Sequence, residues 1–214
     1  MTQHIFLTGF MGSGKTTVGK HLAKELSLPF VDMDDVLVHQ FGMSIADVFQ
    51  KLGEPAFREA ETHLIDSFSD QQSSVVGTGG GVPVFSKNRS LMRKSGCIIY
   101  LDIHIADTKK RMTHEDIQKR PLWKNESDVF ALFEQRKEAY ADHDFKVNVS
   151  NRSPEVIVQT ILQYLRNTRK ISSPFTYVPR TCRGEPCVRP RTNNAFVPMY
   201  DGRTQGSPLH VLGT

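Results

Sequence analysis

The chain has 214 residues, 38% hydrophobic and 23% charged, enough for one α/β domain with a sizeable core and too apolar for a disordered polymer. Its net charge of +4 is unevenly placed: residues 167–214 hold seven of the 27 basic residues and two of the 23 acidic ones, which leaves residues 1–166 near neutral. The body therefore has no pull toward polyanions, and no apolar run approaches the ~20 residues that span a bilayer, so nucleic-acid and membrane partners are not expected.

The opening Met1-Thr2-Gln3-His4 has neither the basic start nor the apolar stretch of a secretion signal, and Cys97, Cys182 and Cys187 are too few for a disulfide framework. Both point to the cytoplasm. Ile5-Phe6-Leu7 predicts the first strand. It runs into Gly9-Phe10-Met11-Gly12-Ser13-Gly14-Lys15-Thr16, which fits G-x-x-x-x-G-K-[ST] and opens a helix through Val18, Leu22, Ala23 and Leu26. Glycines let consecutive amides turn inward around a β-phosphate, and the helix N-terminus adds a favourable dipole. Lys15 would neutralise the β- and γ-phosphates, and the Thr16 hydroxyl would ligate Mg²⁺. Gly12, Ser13, Gly14, Lys15, Thr16 and Thr17 are thus candidate ATP contacts. The motif names a triphosphate and leaves its acceptor open.

Pro29-Phe30-Val31 predicts the second strand, with Asp32 and Asp34 at its carboxyl end, where open α/β sheets bind ligands. A spacing of two along a strand would put both carboxylates on one face beside a cation, whereas a helix N-cap cluster with Asp35 is the plainer alternative. Ser44 and Asp47 form a capping box for a helix reaching Phe49 and Leu52. The helix after Glu54 carries Phe57, Ala60, Leu64, Ile65 and Phe68, with Arg58 and Glu61 one turn apart, a spacing usual for a solvated ion pair. A third strand, Val75-Val76, ends on Gly77-Thr78 and then Gly79-Gly80-Gly81, which permits close backbone approach to a ligand or simply makes a turn. Ile98-Ile99-Tyr100-Leu101 is the fourth strand. Residues 109–125 are polar and include Arg120-Pro121-Leu122-Trp123: either a lid carrying a cation over the γ-phosphate or a surface loop. Ser127 caps a helix with Val129, Leu132, Phe133 and Tyr140. Its Arg136, beside the apolar stripe, either snorkels at the core's edge or reaches into a pocket to hold an anion. Phe145–Val149 is the fifth strand, and Ser153-Pro154-Glu155 opens the last helix.

Strands alternating with helices predict a parallel sheet covered on both faces. The pattern stops near Arg166, beyond which lie six of the eleven prolines and no amphipathic repeat. Residues 167–214 therefore read as an irregular, basic extension. Its Cys182 and Cys187 are too few for zinc, and Arg180, Arg183, Arg189 and Arg191 are too sparse for a nucleic-acid arm.

The order of these motifs resembles that of the shikimate kinases over residues 3 to about 166. Carrying the resemblance are the phosphate loop, Asp32-x-Asp34, Gly42-Met43-Ser44-Ile45, Phe57-Arg58-x-x-Glu61, Thr78-Gly79-Gly80-Gly81, Arg120-Pro121-Leu122 and Arg136-x-x-x-Tyr140. It implies a five-stranded parallel sheet of the nucleoside-monophosphate-kinase type, with a substrate-binding subdomain over about 33–62, a lid over about 109–125, and ATP and shikimate as substrates of a monomeric enzyme. It implies that Arg58 and Arg136 clamp the acceptor carboxylate and that Asp34 orients its reacting hydroxyl. Gly80 and Gly81 would make backbone contacts, Glu61 would brace the pocket with Phe49 and Phe57, and Asp32 would hold Mg²⁺ through water. Lys15, Asp34 and Arg120 would be catalytic, with Arg120 and Arg152 also on ATP and Arg111 a weaker candidate near the adenine.

Overall fold

The structure, a computed structural model, describes residues 3–111 and 126–168. Five strands, β1 (His4–Thr8), β2 (Phe30–Asp32), β3 (Val75–Gly77), β4 (Gly96–Asp102) and β5 (Phe145–Asn148), form one parallel sheet in the order β2-β3-β1-β4-β5. The helices are α1 (Lys15–Leu26), α2 (Met33–Phe41), α3 (Ile45–Lys51), α4 (Gly53–Ser67), α5 (Ser86–Ser95), α6 (Ile105–Arg111), α7 (Glu126–Ala141) and α8 (Pro154–Asn167), with short 3₁₀ turns at Phe68–Asp70 and Val82–Val84.

The strands are apolar without alternation because both faces are covered. Successive residues of β1 feed opposite cores: Ile5 and Leu7 pack with Leu22 and Leu26 of α1 and Ile161 and Leu165 of α8, whereas Phe6 packs with Ile65, Phe68 and Met92 under α4 and α5. A third, smaller core of Leu37, Val48, Phe57 and Ala60 joins α2, α3 and α4. Ser44 accepts the Asp47 amide at 3.1 Å at the start of α3, as the capping box predicts, and Ser153 with Pro154 opens α8.

Sheet order places the site. From β1 the chain crosses to β2 on one side, and from β3 it crosses back over β1 to β4 on the other, so the direction of winding reverses at the β1/β3 pair. The loops leaving β1 and β3 diverge there and open a crevice at the sheet's carboxyl edge. The phosphate loop follows β1 and the three glycines follow β3.

The strand-face reading of Asp32 and Asp34 needs correction, and its alternative, a helix N-cap, holds. Strand β2 ends at Asp32, so Asp34 does not share its face by strand alternation; it lies in the first turn of α2, and Asp32 is the N-cap whose carboxylate accepts the Asp34 amide at 3.1 Å. Helix α2 has a counterpart in the sequence reading only through that N-cap alternative. Helix α5 has none: its buried residues are Asn88, Met92 and Ser95, two of the three polar, so no apolar stripe marks it.

Candidate active site

The phosphate loop takes its shape from main-chain torsions. Gly9, Gly12 and Gly14 have φ of 149°, 73° and 87°, in the range that side chains rarely adopt. At Gly9 space is also closed: a β-carbon there would stand 2.7 Å from the Leu101 carbonyl and 2.8 Å from Ser13 Oγ. Gly14 caps α1 with its left-handed turn, so the first amides of the helix face the loop's interior. Lys15 Nζ donates to the carbonyls of Gly9 and Phe10 at 2.9 and 3.1 Å, which holds the ammonium inside the loop's curve. The Thr16 hydroxyl donates to Asp32 Oδ2 at 2.9 Å, joining the start of α1 to the end of β2.

A cavity of about 520 Å³ runs along this edge. It is lined by Gly12 through Val18, by Asp32, Asp34, Gly77, Thr78 and Gly80 at and beyond the ends of β2 and β3, and by Arg111, Arg152, Pro154 and Ile157. Arg111 is fixed there by donating Nη2 to the Val149 carbonyl at 2.6 Å.

Across from the phosphate loop, four charged side chains from three helices gather on the glycine triplet. A β-carbon at Gly79 would meet Glu61 Oε1 at 2.9 Å and Asp34 Oδ1 at 3.0 Å; one at Gly81 would meet Arg58 Nη1 at 2.6 Å; one at Gly80 would stand 3.5 Å from Arg136 Nη1. At Gly79 and Gly81 a methyl group would displace those charged ends, whereas at Gly80 it would make only ordinary contact. The triplet is thus no loose turn. Asp34 and Gly80 lie on the cavity wall, while Arg58, Glu61 and Arg136 extend the site past its edge.

The ion pair on α4 differs from the solvated pair its spacing suggests. Glu61 is 1% exposed and accepts Arg58 Nη1 at 2.8 Å; Glu54 Oε1 accepts Nη2 at 2.6 Å and Nε at 3.0 Å. The rings of Phe49, Phe57 and Phe85 surround the guanidinium, with centroids 5.8, 5.5 and 6.0 Å from Cζ. Burial lifts the Glu61 carboxyl to about 7 and the Asp34 charge adds to this, against the pull of Arg58 and Arg136. Burial alone would weaken Arg58's proton, yet Glu61 and Glu54 more than offset it and the guanidinium is held above its ordinary value.

Arg136 is 7% exposed, so it reaches inward from α7 and does not snorkel. It shares a hydrogen bond with the Tyr140 hydroxyl, whose pKa burial has pushed up to about 12, making it a weaker acid. Tyr140 in turn donates to the Gly80 carbonyl at 2.6 Å and stacks on Tyr100, with rings 5.2 Å apart and 8° from parallel.

Lys15, Thr16, Thr17, Asp32, Asp34, Gly80 and Arg152 therefore share one cavity, and Arg58, Glu61 and Arg136 share one cluster at its end. Arg120, most of the expected lid and nearly all of the 167–214 extension lie outside the described residues. Phe85, Tyr140 as the holder of Gly80, and Thr78 on the wall were not singled out from sequence for these positions. Tyr140 and Thr78 carried a signal only as members of the motifs Arg136-x-x-x-Tyr140 and Thr78-Gly79-Gly80-Gly81, and Phe85 carried none.

A hydroxyl and a carboxylate side by side at the mouth of an amide-lined loop make a hard-oxygen pair of the kind Mg²⁺ accepts through one or two protein contacts and water. Among the described residues no group of three His, Cys, Asp or Glu could hold a metal without other ligands, and no helix is long and apolar enough to cross a membrane.

The profile of the family described as Shikimate kinase matches residues 11–166. A shikimate kinase of Enterococcus faecalis is 41% identical over 167 residues, which are 77% of this chain and 99% of that protein. One from a Sulfurihydrogenibium species is 39% identical over 165 residues, 77% of this chain and 98% of that protein. Among solved structures, the shikimate kinase of Acinetobacter baumannii in complex with shikimate superposes with a TM-score of 0.74 at 29% identity, covering 79% of this chain and 96% of that one.

Proposed function

Because the chain belongs to the shikimate kinase family, we propose a division of labour among its residues in moving the γ-phosphoryl group of ATP to the 3-hydroxyl of shikimate. The products are shikimate 3-phosphate and ADP, and the reaction is a step of chorismate and aromatic amino acid biosynthesis.

The observation supporting this reading is the convergence of Asp34, Arg58, Glu61 and Arg136 on Gly79–Gly81, opposite the phosphate loop. Arg58 and Arg136 supply two guanidiniums of fixed orientation for a carboxylate. Amides of Gly80 and Gly81 meet the acceptor from the side. Asp34, at the boundary between cluster and cavity, accepts the proton of the hydroxyl whose oxygen attacks the γ-phosphorus. As that bond forms, the bond to the β–γ bridging oxygen breaks, and Lys15 neutralises charge on the departing ADP.

Thr16 and, through water, Asp32 are the residues that would hold Mg²⁺, which supplies charge neutralisation on the triphosphate when bound. Phe49, Phe57 and Phe85 keep Arg58 in a poorly hydrated setting, which strengthens its hold on an anion. Gly12, Ser13 and Gly14 face the β-phosphate, and Arg152, with Arg111 weaker, stands at the adenine end. Residues 33–62 serve as the acceptor subdomain, the 109–125 segment with Arg120 as the lid, and a cytoplasmic monomer completes the reading.

Coupled ADP release with shikimate, gluconate and other hydroxy acids, with and without EDTA, tests it. Turnover that depends on shikimate and on Mg²⁺ is expected. Turnover of gluconate without shikimate turnover would assign the scaffold to another acceptor.

A further inference from the structure

The segment Gly79–Val84 has an unusual property: each of its six carbonyls has a donor. Val82 N donates to Gly79 O at 3.2 Å and Val84 N to Gly81 O at 3.1 Å. Tyr140 Oη serves Gly80 O at 2.6 Å, and Asn88 Nδ2 serves Val82 O at 3.1 Å. Arg89 Nη1 serves both Pro83 O at 2.6 Å and Val84 O at 3.1 Å. Among the described residues, none of these bonds uses the amides of Gly79, Gly80 or Gly81. In each planar peptide the carbonyl of one residue points away from the N–H of the next, so the bonds to Gly79 O and Gly80 O orient the amides of Gly80 and Gly81, while Arg89 anchors the Pro83–Val84 end of the same turn.

Arg89 does more than pin the loop. Its Nε donates to Asp142 Oδ2 at 2.8 Å, and Asp142 lies two residues past Tyr140 and six past Arg136. One guanidinium therefore ties the glycine segment to the end of the helix bearing the acceptor arginine. Arg93, one turn along α5, also binds Asp142, through Nε at 3.1 Å and through Nη2, and reaches Asp144 at 3.6 Å, but it touches no loop carbonyl. Asn88 extends the tie to α4: its Oδ1 accepts the Thr62 hydroxyl at 2.8 Å, next to Glu61. Neither Arg89 nor Asp142 lies on the cavity wall.

We propose that Arg89, clasped by Asp142, is a positioning residue for the acceptor, fixing the amide row of Gly79–Gly81 relative to Arg136. The proposal rests on the functional reading above and adds residues to it. It places the specificity-determining geometry partly in α5, outside the pocket, where a charge-assisted bond fixes direction as well as distance.

Steady-state kinetics of the full chain test it, varying shikimate and ATP separately for Arg89→Gln, Arg89→Lys, Asp142→Asn and Arg93→Gln, each checked by thermal melting. Arg89→Gln raises KM for shikimate about tenfold and leaves KM for ATP within about twofold, because the phosphate loop shares none of these bonds. Arg89→Lys does not rescue, since one ammonium cannot span two carbonyls and a carboxylate. Asp142→Asn, which keeps the carbonyl bonds and removes the charge that Arg89 and Arg93 share, raises KM for shikimate about threefold, and the Arg93→Gln control separates the two partners. Arg93→Gln stays within about twofold on both substrates. A purely structural role would weaken both substrates alike, or make Arg93→Gln as harmful as Arg89→Gln, and either result overturns the proposal. Should Arg89→Gln fail to fold, an unaltered KM for shikimate in Asp142→Asn overturns it equally. A wild-type enzyme without shikimate-dependent ADP release defeats the functional reading, and this proposal with it.

Discussion

Gly81→Ala isolates the acceptor contact better than any arginine substitution. Gly81 has φ −91° and ψ −16°, torsions alanine adopts freely, so the new methyl group brings no backbone strain. Its β-carbon would stand 2.6 Å from Arg58 Nη1, 2.9 Å from Cζ and 3.0 Å from Nη2, whereas ordinary contact begins at 3.4 Å. The guanidinium must retreat by about 0.8 Å, the difference between those two figures. Glu61 and Glu54 hold it at 2.8 and 2.6 Å, so a shift of that size stretches or turns at least one charge-assisted bond and misaims the fork. One such bond is worth roughly 1.5–3 kcal/mol, or about 10- to 150-fold in binding. KM for shikimate should rise by that range, KM for ATP should stay within about twofold, and the melting temperature should move by no more than a few degrees. Initial-rate assays in both substrates measure it. An acceptor KM equal to wild type in folded Gly81→Ala would show that Arg58 does not hold the acceptor.

Two further outcomes follow from the same geometry. The Glu61 carboxyl is raised from 4.5 to about 7, so the folded protein binds that proton more tightly than the unfolded chain does, and this contribution to stability declines as pH rises from about 4.5 to 7. Glu61→Gln should flatten urea-unfolding stability over that window by roughly 1 kcal/mol per pH unit, and parallel wild-type and variant curves would refute the raised carboxyl. Lys15→Ala should lower kcat about 10³-fold with the fold retained, and substantial residual turnover would remove Lys15 from the chemistry.

How much of this was legible in the sequence depends on how local each contact is. The phosphate loop is contiguous, and its chemistry lies in main-chain torsions that glycine positions announce, so it could be read residue by residue. Arg58, Glu61 and Arg136 sit on two helices, and each had a plausible solvated alternative. Only the order of motifs, matched to a family, joined them. Of the two readings open for Asp32 and Asp34, the helix N-cap holds and the shared strand face does not, because strand periodicity ends at Asp32, which caps the helix that carries Asp34. Helix α5 was invisible because Asn88 and Ser95 face inward, and polar groups there bind loop carbonyls and neighbouring backbone in place of apolar packing. Arg89 and Asp142 are 53 residues apart and exposed enough to look like surface charges, so their joint grip on the glycine segment exists only in three dimensions.

In the proposed reaction two guanidiniums beside the glycine triplet recognise a carboxylate while the hydroxyl faces ATP. Comparing kcat/KM of the unmodified enzyme on shikimate and on its methyl ester tests this directly, since the ester keeps the ring hydroxyls and loses only the charge. At least a 100-fold loss on the ester is expected, carried mainly by KM, with KM for ATP unaltered. An ester phosphorylated as efficiently as the acid would contradict the claim.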